Sequence, residues 1–429
     1  MLLRHGLFFL LWLGSLSPAY AVLTIEITGG QQGGQPISIV PFAEYKGILP
    51  PTEDIGKIIR EDLYRSGRFS PTKLAQLPAR PAESKQISFP QWQATGVPHL
   101  VIGRIMPGVG GYTIEFQLFD IFTGRQVIGL SYLANNHNLR HIAHRISDAI
   151  YQALTGERGV FSTRIAYITV KRDQVARRST YKLYIADADG ANPHMMLKSN
   201  EPIFSPTWSP DKRRIAYVSL ENKRSAIYIQ DLQTGQRSVI AQWRGLNTAP
   251  SWSPDGRHLA LTLSKDGNSE IYLLNLATKK LTRLTHNPAI DTEAEWAPDG
   301  KSLAFTSDRS GKPQVYRVSV NGGQAQRLTF DGRYNARPRF SPDGKKIALL
   351  HNGGNGYRIA LLNLENRQIR ALSNTSLDES PSFAPNGSMI LYSTGKELAA
   401  VSIDGGVKQR LMVDLGEEIR EPAWSPFNK

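Results

Sequence analysis

A short phrase recurs six times in this chain at a nearly constant spacing. It consists of an aromatic residue, then Ser or Ala, Pro, Asp or Asn, and usually Gly. The copies begin at Trp208, Trp252, Trp296, Phe340, Phe383 and Trp424. Successive copies are 44, 44, 44, 43 and 41 residues apart, a period typical of the blades of a β-propeller.

The first and last repeats are incomplete in complementary ways. An apolar run of about five residues follows each of the first five phrases, beginning at residues 215, 259, 303, 347 and 390. A sixth run, at 165–169, has no phrase before it, and the phrase at Trp424 has no run after it. We therefore predict six blades closed by the C-terminal strand, an arrangement that leaves no open sheet edge.

The N-terminus predicts export. Residues 1–21 combine Arg4, the apolar stretch 7–13 and the small-residue pattern Ala19-Tyr20-Ala21, as in a secretory signal peptide. No other stretch approaches the ~20 apolar residues that cross a bilayer, so we expect a protein that does not span the membrane. The chain contains no cysteine, which excludes disulfides and thiolate metal sites and suits a bacterial periplasm.

The region before the repeats predicts a separate domain. Apolar runs at 37–42, 100–105, 112–120 and 126–132 indicate strands, and helical apolar spacing begins at 55 and at 139. We expect an N-terminal α/β domain at 22–160, with a mixed sheet and two main helices, followed by the propeller at 161–429. Leu23, Ile25 and Ile27 alternate with polar residues before a glycine-rich stretch, which predicts a strand within a flexible segment, 22–34.

The net charge and the histidines have ordinary interpretations. The formal charge of +14 is compatible with nucleic acid, acidic envelope partners or a solubilising surface, but the export signal disfavours nucleic acid. His137, His141 and His144 are interrupted by Arg140 and Arg145, which would repel a metal ion. We interpret them as polar helix surface and predict no metal site.

The residues just before each aromatic vary between repeats. They precede the innermost strand of each blade, so we expect them to converge at one mouth of the central channel. Several are acidic on an otherwise basic chain: Asp291, Glu293, Asp378, Glu379, Glu418 and Glu421. A local reversal of charge orients a partner that presents Lys, Arg or backbone donors, so we predict a protein-binding mouth.

Specific segments resemble the TolB family over essentially all of the chain after residue 21. They lie at 163–167, 205–211, 303–316, 377–387 and 421–426. The resemblance implies a non-enzymatic periplasmic component of the Tol-Pal system, which links the inner and outer membranes. The implied roles are support of outer-membrane invagination during cell division, maintenance of envelope integrity, and exploitation by colicins.

The same resemblance implies two partners. The peptidoglycan-associated lipoprotein, Pal, is expected at the channel mouth, at Asn247, Thr248, Ala249, Asp291, Thr292, Glu293, Asn335, Arg337, Asp378 and Glu379. The inner-membrane protein TolA is expected on the N-terminal segment, at Val22, Leu23, Thr24, Ile25, Glu26 and Ile27. Other outer-membrane or envelope proteins are further candidate partners, and we expect a monomer with no catalytic residue and no cofactor.

Two other function classes were weighed. A propeller-gated serine peptidase needs a Gly-x-Ser-x-Gly elbow on a hydrolase domain, and the chain has no such pentapeptide. A glycan- or other ligand-binding propeller, using Trp and Tyr faces as stacking platforms, stays open as the alternative.

Overall fold

The computed structural model describes residues 23–29, 33–45, 50–173, 175, 177–413 and 417–427. The predicted signal peptide, Val22 and residues 30–32 lie outside this set. Within the described residues, none of the helices combines the length and the apolar character that crossing a membrane requires.

The N-terminal domain is a mixed sheet with its two long helices on one face and a short helix on the other. Its elements follow β1 (Leu23–Gly29) in the order β2 (Gln35–Ile39), β3 (Ala43–Glu44), α1 (Ile55–Arg65), β4 (Phe69–Pro71), α2 (Phe89–Gln93), β5 (His99–Gly108), β6 (Gly111–Asp120), β7 (Arg125–Ala134) and α3 (Leu139–Thr155), with short 3₁₀ turns at Leu74–Gln76 and Ser84–Gln86. The sheet order is β4-β2-β5-β6-β7, and β3 pairs with β5. Pairing is parallel around β2 and antiparallel from β5 to β7, so the predicted mixed sheet is confirmed.

The two long helices follow from their apolar spacing and their caps. In α1, Ile55, Ile59 and Leu63 are buried on the face toward the sheet. The Asp54 carboxylate accepts a hydrogen bond of 2.8 Å from the backbone N–H of Lys57 and so caps the first turn. Helix α3 ends at Gly156, whose φ of +77° is the left-handed conformation that glycine adopts readily. The prediction of two main helices is confirmed.

The propeller contains six antiparallel sheets. In blades 2 to 6, the strand named first in the following list lines the channel. The blades are: blade 1, β8 (Arg164–Asp173), β9 (Arg178–Asp187) and β10 (His194–Ser199); blade 2, β11 (Ile203–Trp208), β12 (Arg214–Ser219), β13 (Ala226–Asp231) and β14 (Arg237–Ala241); blade 3, β15 (Asn247–Trp252), β16 (His258–Leu263), β17 (Glu270–Asn275) and β18 (Leu281–Arg283); blade 4, β19 (Asp291–Trp296), β20 (Ser302–Ser307), β21 (Gln314–Ser319) and β22 (Gln326–Arg327); blade 5, β23 (Tyr334–Phe340), β24 (Lys346–Asn352), β25 (Arg358–Asn363) and β26 (Ile369–Ala371); blade 6, β27 (Glu379–Phe383), β28 (Met389–Ser393), β29 (Leu398–Ser402) and β30 (Lys408–Val413). The innermost strand of blade 1 is β31 (Glu418–Trp424).

The ring closes as the sequence predicts. Strand β31 pairs antiparallel with β8, and Trp424 lies opposite Ile165 in the register. The repeated aromatic residues also hold neighbouring blades together: the Trp208 indole N–H donates to the carbonyl of Ala423 at 3.0 Å, and that of Trp252 donates to the carbonyl of Thr207 at 3.3 Å. The aromatic residues therefore act as wedges between blades.

Strand β1 is part of the propeller sheet of blade 6. It pairs antiparallel with β30 as a fifth strand, with Ile25 opposite Leu411 and Glu26 opposite Arg410. The sequence analysis assigned this strand to the N-terminal domain, because nothing in the local pattern of a strand reveals which sheet it joins.

A buried cluster of charged side chains joins the two domains. His144 Nδ1 on α3 lies 2.7 Å from Asp62 Oδ2 on α1, and its Nε2 lies 3.6 Å from Asp189 Oδ2 in the turn after β9. Arg140 pairs with Asp189, and Arg65 pairs with Asp62. Burial alone would lower the pKa of His144, but the two carboxylates raise it. The prediction of polar helix surface is wrong for His144, because its partners come from distant parts of the chain.

Candidate partner-binding mouth and N-terminal strand

The inner strands of all six blades begin at the same end of the channel, which we call the mouth. The residue at which each strand approaches the channel lies three positions before the repeated aromatic. These six residues are Ser205, Ala249, Glu293, Arg337, Ser380 and Glu421, and together they line one small cavity. The prediction that the six variable segments converge at one end of the channel is therefore confirmed.

These six residues share an unusual backbone conformation. All are non-glycine residues with φ between +49° and +56°, a left-handed conformation that costs an L-residue roughly 1–2 kcal/mol. The strand register shifts at each of them, as in a β-bulge. Backbone strain that recurs at one level of the channel points to a functional surface.

Arg337 is the centre of an ion network within this ring. Its Nε lies 3.1 Å from Glu293 Oε1, and its Nη2 lies 3.5 Å from Glu421 Oε1. Burial would lower the pKa of Arg337, but Glu421 and Glu293 raise it. The cavity left at this level is about 40 Å³, far below the roughly 300–1,000 Å³ typical of ligand pockets. We expect a partner to bind across the mouth rather than to thread the channel.

Four of the predicted contact residues, each five positions before its aromatic, are buried. They are Asn247, Asp291, Asn335 and Asp378. The Asn247 side chain accepts a hydrogen bond from the backbone N–H of Trp243 and donates one to its carbonyl, both at 2.8 Å. Asn335 donates to the carbonyl of Asp331 at 2.7 Å. In this structure these side chains hold the mouth loops in place, and direct contact with a partner stays a prediction.

The two buried aspartates are engaged with neighbouring groups. Asp291 Oδ2 lies 2.7 Å from Arg309 Nη2, and Asp378 accepts hydrogen bonds from the hydroxyls of Ser373 and Thr375. Burial raises the pKa of both carboxyls. Their charges are therefore not presented at the surface as the sequence analysis expected.

Most of the other acidic residues at the mouth are also paired. Glu293 and Glu421 share Arg337, while Glu418 lies 3.3 Å from Arg172 and 2.8 Å from Arg420. Burial raises the pKa of Glu379. The acidic mouth is thus largely neutralised from within, which weakens the argument for electrostatic steering by these carboxylates.

A set of exposed apolar side chains at the mouth was not predicted from the sequence. Leu246, Ile290 and Leu377 each stand six positions before an aromatic, and their exposed fractions are 40%, 52% and 71%. Tyr334 occupies the same position in blade 5, and its ring packs edge-on against Tyr357 with 5.2 Å between ring centroids. We call these five residues the apolar rim. A sequence signal for the rim does exist. In each of these blades an apolar residue directly precedes the polar residue at the start of the inner strand.

The remaining predicted mouth residues lie between the rim and the channel. Thr248, Ala249, Thr292 and Glu379 are all partly exposed, and Thr292 Oγ1 lies 3.4 Å from Thr262 Oγ1. The large aromatic faces, in contrast, are withdrawn: Trp208, Trp252 and Trp296 are buried between blades. These tryptophans therefore offer no exposed platform for stacking on a sugar.

Strand β30, which pairs with β1, also contacts the N-terminal domain. Gln409 of β30 donates a side-chain hydrogen bond to the carbonyl of Arg65 at the end of α1. A Cβ added at Gly67 would meet Val407, just before β30, at 2.1 Å, so the two domains approach closely there. Strand β30 therefore contacts β1 on one edge while its side chains reach the N-terminal domain.

Comparison with known proteins decides the family. The sequence matches the TolB beta propeller domain over residues 151–428 and the TolB amino-terminal domain over residues 23–127. The chain belongs to the TolB family. The Tol-Pal system protein TolB of Nitrosococcus oceani is 60% identical over 422 residues, covering 97% of this chain and 96% of that protein. The corresponding protein of Thioalkalivibrio sulfidiphilus is 61% identical over 428 residues, covering 98% and 97%.

A solved TolB structure has the same architecture. The crystal structure of TolB from Acinetobacter baumannii superimposes with a TM-score of 0.86 at 44% identity, covering 95% of this chain and all of that one. As a TolB-family member, this chain is a Tol-Pal system protein. Its predicted TolA-binding residues fall on β1, except Val22, which lies outside the described residues.

Proposed function

We propose that this TolB-family chain is a non-enzymatic periplasmic protein that couples Pal, bound at the mouth, to TolA, bound by the N-terminal segment. Through this coupling it supports outer-membrane invagination during division and outer-membrane integrity. Insertion of colicins into the same mouth is a further expectation from the family.

The apolar rim is the observation that carries the Pal assignment. Exposed Leu246, Ile290 and Leu377 surround an opening whose loops are held by buried Asn and Asp side chains. A rigid apolar patch with a polar surround is typical of a protein-binding surface. Because the ion pairs inside the channel are already satisfied, we expect apolar burial rather than charge to provide most of the affinity.

The edge position of β1 supports the TolA assignment. Since β1 is the outermost strand of blade 6, it can leave without opening the ring, whose closure depends on β31 and β8. An extended segment of this kind can pair with the sheet edge of another protein. Docking on β30 and binding of TolA would then be competing states of one strand.

The rim can be tested by isothermal titration with the soluble domain of Pal. Fully burying a Leu or Ile side chain contributes about 1.5–3 kcal/mol, so the exposed parts of Ile290 and Leu377 contribute about 2–3 kcal/mol together. The double variant Ile290→Ser/Leu377→Ser should therefore weaken Pal binding by about 30- to 150-fold. Leu133→Ser is the matched control, because Leu133 is 64% exposed but lies on β7. Equal Kd values for the double variant and the control would refute the assignment.

The N-terminal segment can be tested by deletion of residues 22–33. Pull-down from envelope extract should then lose TolA and retain Pal, because the mouth is formed without β1. Protease digestion of the intact chain should also change at 22–33 when Pal is added. Retention of TolA by the deletion variant would contradict the coupling function.

A further inference from the structure

A second cleft, away from the mouth, lies between the N-terminal domain and the first two blades. Its volume is about 720 Å³, and its lining comes from His141 on α3, Ser162 and Arg164 at the start of blade 1, Asp187, and the turn Asp211–Arg213 between β11 and β12. This size is within the range of small-molecule sites. None of the residues assigned to the mouth or to β1 contributes to it.

Cationic side chains dominate the cleft. The ion pairs within 4.0 Å among the described residues do not include Arg164, Lys212 or Arg213, whereas Arg65 and Arg140 at the domain interface are paired. Both carboxylates of the cleft accept hydrogen bonds from neutral donors: Asp211 from Ser209 Oγ at 2.5 Å and Asp187 from Asn192 Nδ2 at 2.8 Å. The cleft therefore carries three cations against two carboxylates, and the half-buried Arg164 guanidinium also lies 5.5 Å from the centre of the Trp208 ring.

Lys212 has a left-handed backbone conformation at a turn position that is occupied by glycine in the next four blades. Its φ is +58°, and the equivalent positions in the next four turns are Gly256, Gly300, Gly344 and Gly387, with φ between +68° and +76°. Glycine adopts this conformation without strain, whereas lysine does not. Lys279 has a similar φ in another turn, so it is the combination of this conformation with a place in the cleft that points to a role for the Lys212 side chain.

The neighbours of Lys212 make its charge costly in the absence of an anion. Burial lowers the pKa of Lys212, and the like charges of Arg164 and Arg158 lower it further. Burial likewise lowers the pKa of Arg164, and Asp187 only partly opposes that shift. A bound anion would offset this repulsion, and the oxygens of a phosphate group can each accept charge-assisted hydrogen bonds from these cations.

We propose that this cleft binds a phosphate group, presented either by a soluble phosphate ester or by a phospholipid headgroup. The planar guanidinium groups of Arg164 and Arg213 suit two phosphate oxygens, and Lys212 adds a point charge. The proposal is independent of Pal and TolA binding, because it uses neither the mouth nor β1.

Titration of glycerol 3-phosphate into the purified protein at constant ionic strength tests the cleft, and flotation with phosphatidylglycerol or phosphatidylcholine vesicles distinguishes the source. Saturable binding of the soluble ester without flotation identifies a soluble ligand, and flotation only with phosphatidylglycerol identifies a headgroup. In either case Lys212→Gly should weaken binding by about tenfold or more, which corresponds to 1.4 kcal/mol. Arg164→Gln should weaken it similarly.

Lys279→Gly is the matched control. Lys279 is exposed and has a φ of +60°, so replacement by glycine relieves the same strain in both variants and should raise Tm in both. Only Lys212→Gly should lose phosphate binding. The proposal is overturned if neither glycerol 3-phosphate nor the vesicles bind at concentrations up to about 10 mM, which exceeds the millimolar range of weak specific binding. It is also overturned if Lys212→Gly and Lys279→Gly bind the probe equally well.

Discussion

Replacing His144 by Gln should destabilise the protein in a pH-dependent way. His144 is 1% exposed and contacts Asp62 at 2.7 Å, with Asp189 at 3.6 Å. Glutamine keeps a hydrogen-bond donor of similar size but cannot carry a charge. The variant therefore removes the positive charge that His144 adds between two carboxylates at the domain interface.

The expected loss is about 2–3 kcal/mol in the free energy of unfolding. Removing one partner of a buried ion pair costs about 3–5 kcal/mol. Here Arg65 and Arg140 still pair with the same carboxylates, so we expect less than this full cost. A hydrogen bond to a charged group contributes about 1.5–3 kcal/mol, which is consistent with the lower figure.

The sign of the pH dependence follows from the raised pKa of His144. A histidine whose folded-state pKa is raised contributes stability that is fully present below its unfolded pKa of about 6.5. That contribution disappears as the pH rises through the folded-state pKa. The difference between wild type and His144→Gln should therefore be greatest near pH 6 and should shrink in alkaline buffer.

Urea unfolding of both proteins across this pH range measures the effect. His141→Gln is the control, because His141 lies on the same helix but is exposed, and we expect its change to stay within about 0.5 kcal/mol. A loss for His144→Gln that is constant with pH, or a gain in stability, would refute the role assigned to the protonated imidazole.

Three further substitutions test the propeller. Ala249→Gly should raise the free energy of unfolding by about 0.5–1 kcal/mol, because relief of ~1–2 kcal/mol of left-handed strain exceeds the ~0.4–1 kcal/mol that glycine adds to the entropy of the unfolded chain. Arg337→Met should lower it by about 3 kcal/mol, because Glu293 and Glu421 lose their shared partner. Trp424→Ala should lower it by about 2–3 kcal/mol, less than the ~3–5 kcal/mol for a fully buried Trp, because Trp424 is a half-buried aromatic in the strand that closes the ring. Urea unfolding measures all three.

Each of these substitutions has a distinct contradicting result. Ala260→Gly, in a buried strand with ordinary φ, should be destabilising, and a similar loss for Ala249→Gly would show that the left-handed backbone is not strained. Unchanged stability of Arg337→Met would mean that the channel ion pairs contribute little. A Trp424 variant as stable as wild type would argue against closure by β31.

The fold was predictable because its signals are local and repeated. The aromatic-Pro-Asp phrase marks a turn in each blade, and the two incomplete repeats at 165 and 424 identify the closing strand. The partner sheet of β1 was not predictable, since pairing with β30 connects residues almost four hundred positions apart. His144 was misassigned for the same reason, because Asp62 and Asp189 are adjacent only after folding.

The convergence of the six variable segments at one end of the channel was predictable from sequence, but the burial and pairing of their side chains were only partly predicted. Acidic residues are easily noticed in a basic chain, yet their burial and pairing depend on groups such as Arg309, which lies in a different loop. The exposed Ile290 and Leu377 were overlooked, because an apolar residue beside a strand is ordinarily taken for core. The exposure of these two side chains depends on how the blades are arranged around the channel, which the sequence of a single repeat does not reveal.

Amide hydrogen exchange, with and without the soluble Pal domain, tests the central claim most directly. The claim predicts slower exchange in the loops that carry the apolar rim, at residues 244–248, 288–292, 332–336 and 375–379, and no slowing in the Ser-Pro-Asp-Gly turns at the opposite end of the channel. Protection of the opposite end, or of the N-terminal sheet alone, would contradict it.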